Sequence, residues 1–325
     1  RDGFGVVTFG WIIIALFGSL PYLLCGVIEH PISALFETMS GFTTTGASVL
    51  SNLESQPKSI LFWRALTQWL GGMGVLVLCV AILPFLGVGG MQIFRAEMPG
   101  PSKDRLTPRI TTTAKLLWGV YLVLTIFQIL ALYFIGKMGL FDSICHTFST
   151  IATGGFSTKT GSIGSYNSST IDLIIMIFMF LSGINFALHY HALKGKPLYY
   201  IKDSEFRFYS FLILIVITIV CLSLYNINYA PISECLIKGS FTSIALITGT
   251  GFSSVNYDQW PNAMRILLVG MMFFGGCAGS TTGGMKIMRI HVIIKKMIRE
   301  MKIFMRPSAI IHTKLDGKPV EHMML

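Results

Sequence analysis

Three short segments, each rich in threonine and glycine, have the residue types that can bind a dehydrated cation. They align on Gly46, Gly155 and Gly251, which lie 109 and 96 residues apart. Glycine adopts a positive φ without a Cβ clash, so such a loop can turn successive carbonyl oxygens to one side. Rings of carbonyls replace the hydration shell of a permeating cation. The candidate backbone or hydroxyl donors are Thr44, Thr45, Gly46, Thr153, Gly154, Gly155, Gly249, Thr250 and Gly251.

The alternative is that these glycines only form tight extracellular turns. A single segment would favour that interpretation. Three aligned copies, each beside threonine and each between two apolar stretches, favour cation coordination instead.

The rest of the chain has the composition of an integral membrane protein. Of 325 residues, 53% are hydrophobic and only 12% are charged, and the mean hydropathy is +0.67. Soluble domains are about one quarter charged. A helix needs roughly 20 residues to cross the hydrocarbon core. Charge-free runs of this size predict six spans, at 3–28, 65–94, 116–136, 173–193, 208–233 and 266–285.

The basic residues orient these spans. With the N-terminus of the segment in the cytoplasm, 19 of the 25 lysines and arginines lie on the inner side, as the positive-inside rule requires. The net charge of +10 is thus explained by topology, and nucleic acid is not expected as a partner. The six basic residues assigned to the outer side are Lys58, Arg64, Lys137, Lys159, Lys238 and Arg265.

Each Thr/Gly segment falls between two predicted spans, so the chain repeats a unit of span, re-entrant helix, loop and span. Irregular backbone is tolerated at membrane depth only where it lines a water-filled path or is buried in protein. The re-entrant helix would direct its negative dipole end toward the loop, which favours a cation there. We therefore predict an all-α integral membrane protein with units at 3–94, 108–193 and 206–300, followed by a cytoplasmic segment at 301–325.

Glycines interrupt the sixth predicted span, where five of them occupy the ten positions from 275 to 284. Each interior glycine costs a helix roughly 0.8 to 1 kcal/mol relative to alanine, so we predict an unwound intramembrane loop that gates the path. Close helix packing would not need adjacent glycine pairs, and the run lacks the ending of a phosphate-binding loop. The predicted gate residues are Gly275, Gly276, Gly279, Ser280, Thr281, Thr282, Gly283 and Gly284.

A basic amphipathic helix is predicted after this loop. Basic residues from Lys286 to Arg306 alternate with apolar ones, as in helices that lie at a membrane interface. The helix could simply anchor the chain, or it could dock a cytoplasmic partner. Lys286 and Arg289 are the candidate gate or docking residues.

In these features the sequence resembles the membrane subunits of the Trk/Ktr/HKT superfamily of potassium transporters, and within it the Trk type (TrkH-like). The resemblance covers essentially the whole chain. The matching motifs are Ser40-Gly-Phe-Thr-Thr-Thr-Gly-Ala47, Trp69-Leu-Gly-Gly-Met-Gly74, Pro99-Gly-Pro-Ser-Lys-Asp104, Phe148-Ser-Thr-Ile-Ala-Thr-Gly-Gly-Phe-Ser-Thr158, Gly183-Ile-Asn-Phe-Ala187 and Gly275-Gly-Cys-Ala-Gly-Ser-Thr281.

The resemblance implies pseudo-fourfold repeats of transmembrane helix, re-entrant pore helix, filter loop and transmembrane helix around a central ion pore. It implies potassium-selective uptake across the bacterial cytoplasmic (inner) membrane, with K⁺ as the transported ion and no organic cofactor in this chain. The implied partners are a second copy in a homodimer, a cytoplasmic nucleotide-binding regulatory subunit (TrkA-like) and membrane lipid. Family members have one filter glycine per repeat, which Gly46, Gly155 and Gly251 match, and the glycine-rich loop matches the family's intramembrane gate.

The sequence departs from the family pattern in one respect. The family has four repeats and this chain contains three, so we expect a fragment of a longer protein, which the missing initiator methionine also favours. The alternatives are a non-conducting or assembly-dependent truncated subunit, and a less selective pathway for K⁺ and Na⁺.

Two further features carry weaker expectations. His189-Tyr-His191 is the candidate for a metal site or a membrane enzyme, but side chains at i and i+2 of a helix point apart, and placement at the inner interface explains the pair better. Glu37 is expected at the outer mouth, where its carboxylate would concentrate cations.

Overall fold

The computed structural model describes residues 2–74, 110–226 and 231–305, together with two short strands near the C-terminus. The helices are α1 (Asp2–Leu24), α2 (Pro31–Phe42), α3 (Lys58–Gly72), α4 (Ile110–Leu130), α5 (Leu140–Ile151), α6 (Ser169–Ser182), α7 (Phe186–Leu193), α8 (Leu198–Lys202), α9 (Ser204–Asn226), α10 (Ile232–Ile247), α11 (Asn262–Met271) and α12 (Ile287–Met305). A π-helical turn (Ala131–Ile135) extends α4, and three-residue to five-residue 3₁₀ turns lie at Leu53–Ser55, Ser162–Tyr166 and Tyr257–Gln259. Strand β1 (Lys314–Leu315) pairs antiparallel with β2 (Lys318–Pro319). Residues 75–94 of the predicted span 65–94, the motif at 99–104 and most of the predicted cytoplasmic segment 301–325 lie outside the described residues.

The same sequence of elements occurs three times. A long helix is followed by a shorter one, an irregular loop and a further helix: α1, α2 and α3; α4, α5 and α6; α9, α10 and α11. The short helices α2 and α10 begin at or directly after a proline, Pro31 and Pro231. Proline suits the first helical turn because its φ is already helical and its missing N–H is not needed there.

A pair of tyrosines joins successive units in the same way. The Tyr121 hydroxyl, on α4, donates to the carbonyl of Trp69 at 2.9 Å, and the Tyr209 hydroxyl, on α9, donates to the carbonyl of Phe180 at 3.4 Å. Trp69 and Phe180 each lie three residues before a glycine, Gly72 or Gly183, whose missing Cβ leaves room for the tyrosine. The fold therefore places Trp69 of α3 and Phe180 of α6 at equivalent positions.

The lengths of the described helices fit a membrane protein. Ala114–Ile135 and Ser204–Asn226 are long and apolar enough to cross a membrane, and the α6–α7 pair is a third candidate, bent by 103°. Large apolar side chains such as Phe17, Phe127 and Phe134 lie on the outside with more than half of their surface exposed. In a bilayer these faces contact lipid rather than water.

Four predicted spans differ from the structure. In the second, 65–94, the helix begins earlier, at Lys58, and ends at Gly72, so residues 73 and 74 are not helical. The fourth, 173–193, is broken at Gly183–Asn185 because the Gly183 carbonyl accepts the Cys277 N–H at 2.8 Å and the Asn185 side chain caps α7. The fifth, 208–233, begins earlier, and its last residues belong to α10, because proline at 231 cannot continue a helix. The sixth, 266–285, is helical only as far as Met271, because α11 covers Asn262–Met271 and the rest of the predicted span is irregular.

Candidate ion filter and gate segment

The three Thr/Gly loops have the same backbone conformation. In each, the aligned glycine has a positive φ of 75° to 78°, and so does the residue two positions earlier, at 53° to 69°. Left-handed conformation costs a residue with a side chain roughly 1 to 2 kcal/mol, yet two of these earlier residues are threonines. The pairs are Thr44 and Gly46, Thr153 and Gly155, and Gly249 and Gly251. Strain of this kind persists where the surrounding structure enforces it.

Equivalent hydrogen bonds hold the loops to their short helices. The amides of Thr44, Thr153 and Gly249 donate to carbonyls three residues earlier, at 2.9 to 3.0 Å. These bonds end α2, α5 and α10 by the same turn. The three loops therefore have the same backbone structure and the same connection to the preceding helix.

The loops also lie side by side. A Cβ added to Gly46 would overlap the carbonyl oxygen of Gly154, and one added to Gly155 would overlap the carbonyl oxygen of Thr250. Each glycine thus lets the neighbouring loop approach its own backbone. The three predicted donor segments therefore lie next to one another. At Gly46 and at Gly155, where adjacent loops touch, only a residue without a side chain fits.

The second loop differs from the other two in its side chains. In the first loop the hydroxyls of Thr43 and Thr45 lie 2.8 Å apart, and in the third those of Thr248 and Thr250 do the same. The equivalent residues of the second loop are alanine and glycine, at 152 and 154. There the carboxamide of Gln68 occupies the space, and its Nε2 donates to the Gly154 carbonyl oxygen at 2.7 Å.

Gln68 is fully buried and is not among the residues predicted from sequence. Its Oε1 also accepts the Phe156 N–H at 3.0 Å, so one side chain binds both a donor and an acceptor of the second loop. A polar residue directly before the Trp69-Leu-Gly-Gly motif of an apolar helix was the signal that could have pointed to it.

Glu37 does not face the outer mouth, and that expectation is wrong. It is 0% exposed, and Arg64, assigned from sequence to the outer side, is 2% exposed. Arg64 Nε donates to Glu37 Oε1 at 2.8 Å, and the other Glu37 oxygen accepts the Val49 N–H at 2.9 Å. Buried carboxylates require partners of this kind because an unpaired buried charge is very costly. The pair is therefore buried among the residues that follow the first and second loops, Ser48, Val49 and Ser157.

The helix α5 carries a histidine at the position equivalent to Glu37. His146 is fully buried, and its Nε2 lies 2.9 Å from the hydroxyl of Ser157, as Glu37 Oε1 lies 2.9 Å from that of Ser48. Later in the chain than the first loop, the carboxylate of Glu54 accepts hydrogen bonds from the side chain and amide of Thr160. These bonds hold the pKa of Glu54 below its ordinary value, and they connect the first loop region to the second.

The predicted gate residues form an irregular segment between α11 and α12, which we call the gate segment (residues 272–286). Its two ends pair with each other: the Gly275 N–H donates to the Met285 carbonyl at 2.9 Å, and the Ile287 N–H donates to the Gly276 carbonyl at 3.1 Å. An added Cβ at Gly275 would overlap the Gly283 carbonyl oxygen. The glycines therefore allow the two ends of the segment to lie in contact.

The gate segment lies against the break between α6 and α7 and against the end of α5. The Phe186 N–H donates to the Gly279 carbonyl at 3.1 Å, and the Thr281 hydroxyl donates to the Ile151 carbonyl at 3.0 Å. Ile151 is the last residue of α5, two residues before the left-handed Thr153. The gate segment is thus one short turn of backbone away from the second loop.

Two charged side chains hold the gate segment. Lys286 Nζ donates to the carbonyl oxygens of Thr282 and Ser280, whereas Arg289 is exposed on α12. Glu205, which is not among the residues predicted from sequence, is 4% exposed, and its Oε1 accepts the N–H of Ala278 at 2.7 Å and that of Met288 at 3.0 Å. One carboxylate oxygen therefore ties the gate segment to the first turn of α12.

The histidine pair has other contacts in the fold. His189 uses both ring nitrogens, one with the Tyr200 hydroxyl at 2.6 Å and one with the Leu181 carbonyl at 2.9 Å. His191 stacks on the ring of Tyr199. Among the described residues, no group of three or more His, Cys, Asp or Glu side chains is placed to hold a metal ion.

Comparison with known proteins gives consistent matches. A family model described as "TrkH: Cation transport protein" matches residues 1–325. The Trk system potassium uptake protein TrkH of Salmonella typhimurium is 45% identical over 330 residues, which cover 100% of this chain and 68% of that protein. The Trk system potassium uptake protein TrkG of Escherichia coli is 38% identical over 325 residues, covering 98% of this chain and 66% of that protein.

A solved structure is similar as well. The crystal structure of the potassium transporter TrkH from Vibrio parahaemolyticus matches with a TM-score of 0.86 and 39% sequence identity, covering 100% of this chain and 67% of that chain. The chain therefore spans about two thirds of the length of these relatives.

Proposed function

The chain belongs to the TrkH family of cation transport proteins, and from that premise we propose that it takes up K⁺ across the cell membrane through a filter built from its Thr/Gly loops. The relatives named above are Trk system potassium uptake proteins. In this proposal residues 44–46, 153, 155 and 249–251 supply backbone or hydroxyl oxygens to dehydrated K⁺, whereas the Gly154 carbonyl is bound by Gln68 and holds the second loop in place. The protein coordinates the ion and makes or breaks no covalent bond.

One observation carries this proposal: three loops of equal backbone conformation lie side by side at the ends of three short helices. A helix C-terminus carries a partial negative charge, and carbonyl oxygens substitute for the water shell of a cation. The threefold agreement of left-handed residues supports a shared axis, which isolated extracellular turns would not require.

Uptake by whole cells tests the proposal. The intact gene is expressed in a bacterial strain that lacks its own potassium uptake systems, and K⁺ and Na⁺ uptake are measured separately. We expect growth at low external K⁺ and faster uptake of K⁺ than of Na⁺. Equal uptake of both ions would favour the less selective pathway, and uptake of neither would favour a non-conducting subunit.

We further propose that the gate segment obstructs the path on the cytoplasmic side of the filter. Its contact with the end of α5 supports a position directly below the second loop, and its glycines supply the backbone freedom that opening requires. Lys286 and Glu205 hold the segment in its closed position by their contacts with its backbone.

The arrangement of the whole transporter is likewise proposed. The units 3–94, 108–193 and 206–300 would be three of four repeats around one pore in the bacterial inner membrane, with the N-terminus of the segment in the cytoplasm. We propose a homodimer bound to a cytoplasmic nucleotide-binding regulatory subunit. The basic helix α12 supports such docking, because several of its apolar side chains, including Met301 and Phe304, are more than half exposed among lysines and arginines.

A further inference from the structure

The second filter loop is held by a helix of the first unit. Gln68, on α3, binds the Gly154 carbonyl oxygen and the Phe156 N–H. One helical turn earlier, Arg64 donates from Nη1 to the Ser157 carbonyl at 3.2 Å and lies 4.1 Å above the Phe156 ring. Both side chains are buried, so water does not compete for these contacts.

The second loop lacks what stabilises the other two. The first and third loops each have a pair of threonine hydroxyls in contact, Thr43 with Thr45 and Thr248 with Thr250. In the second loop the corresponding residues, Ala152 and Gly154, have no hydroxyl. Gln68 fills this space, and any side chain at position 154 would overlap its carboxamide.

The corresponding helix of the second unit, α6, has no equivalent side chain. Since Trp69 and Phe180 accept the equivalent tyrosine hydrogen bonds, Gln68 and Arg64 correspond to Met179 and Ile175 on α6. Both are apolar and fully buried. In the described structure this contact from helix to loop therefore joins the first unit to the second, and α6 has no polar side chain at these positions to hold the third loop in the same way.

We propose that Gln68, supported by Arg64, is the positioning residue that fixes the second filter loop and thereby sets how well the filter distinguishes K⁺ from Na⁺. The Gln68 amide directs the Gly154 carbonyl toward α3. Without that bond the peptide between Gly154 and Gly155 can rotate, and the spacing of the oxygens that the ion meets becomes variable. A filter with variable spacing discriminates less well between two cations of different radius. This inference rests on the proposed function.

The test uses two variants of similar size in the uptake assay described above. Gln68→Met removes both hydrogen bonds and gives α3 the residue found at the equivalent position of α6. Gln68→Glu keeps the acceptor for the Phe156 N–H but replaces the donor to Gly154 with an oxygen. We expect the ratio of K⁺ to Na⁺ uptake to fall about fivefold in both, since the net free energy of one hydrogen bond in a protein changes an equilibrium by roughly that factor.

The control is Ile60→Ala on the same helix. Ile60 packs with Tyr22, Ile28 and Ala34, away from the filter loops, so its truncation should lower the amount of protein without changing the ratio. Uptake is divided by the amount of protein in the membrane. A Gln68→Met protein that reaches the membrane with the unmodified ratio overturns the inference, and if that variant does not reach the membrane, the ratio in Gln68→Glu decides.

The outcome for the unmodified protein separates this inference from the proposed function. Selective uptake by the unmodified protein together with unchanged ratios in the Gln68 variants contradicts only the role of Gln68. No uptake, or no preference for K⁺, in the unmodified protein contradicts the proposed function itself.

Discussion

Replacement of Gly46 by serine is the sharpest test of the filter geometry. Gly46 has φ +78°, and a Cβ there would overlap the carbonyl oxygen of Gly154 in the adjacent loop. The backbone strain alone amounts to about 1 to 2 kcal/mol, and the overlap must be relieved by moving one loop away from the other. Both effects act on the oxygens that we assign to the ion.

The expected change in ion preference follows from the backbone strain at position 46. If the loop relieves 1 to 2 kcal/mol by shifting, the preference for K⁺ over Na⁺ should fall by about fivefold to thirtyfold, since about 1.4 kcal/mol is a factor of ten. The assay is the ratio of K⁺ to Na⁺ uptake by cells that depend on this protein, corrected for its amount in the membrane.

A matched control separates filter geometry from general strain. Gly26 has φ +64°, but an added Cβ there meets nothing within 4 Å. Gly26→Ser therefore introduces a similar backbone strain far from the loops and should leave the ratio unchanged. An unaltered ratio in Gly46→Ser, with the protein present in the membrane, would refute the assignment of Gly46 to the filter.

Three further outcomes are expected. Deletion of Gly279–Gly283 should raise K⁺ flux because it shortens the obstruction below the filter, and a folded deletion variant with unmodified or lower flux would argue against gating. Glu205→Ala should also raise K⁺ flux, because the amides of Ala278 and Met288 lose their shared acceptor. Glu205→Gln keeps an Oε1 acceptor, so its flux should stay near that of the unmodified protein. Equal flux in the two variants would contradict this role of Glu205. Arg64→Met should destabilise the detergent-solubilised protein by about 3 kcal/mol or more, because it leaves the buried Glu37 carboxylate without its cation. The melting temperature measures this effect. A value within about 2 °C of the unmodified protein, which corresponds to about 1 kcal/mol or less, would contradict the structural role of the pair.

The local features of the candidate site were predictable from sequence. Glycine and threonine at regular spacing predicted three irregular loops, and the structure brings those loops together. The five glycines from 275 to 284 predicted an unwound segment, and α11 indeed ends at Met271. Both predictions depend on the backbone preferences of single residues, which a sequence displays directly.

The contacts between distant residues were not predictable in this way. Gln68, Glu205 and Arg64 act on backbone atoms that lie about 70 to 90 residues away in the chain, and no local pattern encodes such a pairing. Glu37 was misplaced for the same reason, because its partner Arg64 is 27 residues away and had itself been assigned to the outer surface. One irregularity was visible: the second loop has alanine and glycine where the others have threonine.

The contact between neighbouring loops has a direction. The Cα of Gly46 in the first loop lies against the Gly154 carbonyl of the second, and the Cα of Gly155 in the second lies against the Thr250 carbonyl of the third. Each glycine therefore contacts a carbonyl of the loop that follows it in the chain. Head-to-tail contacts of this kind form a closed ring only if the rotation per unit divides a full turn. Any further loop that completes the circle must therefore offer a carbonyl to Gly251 and a residue without a side chain to the carbonyl of Thr45. The contacts already made place the first, second and third loops next to one another in chain order.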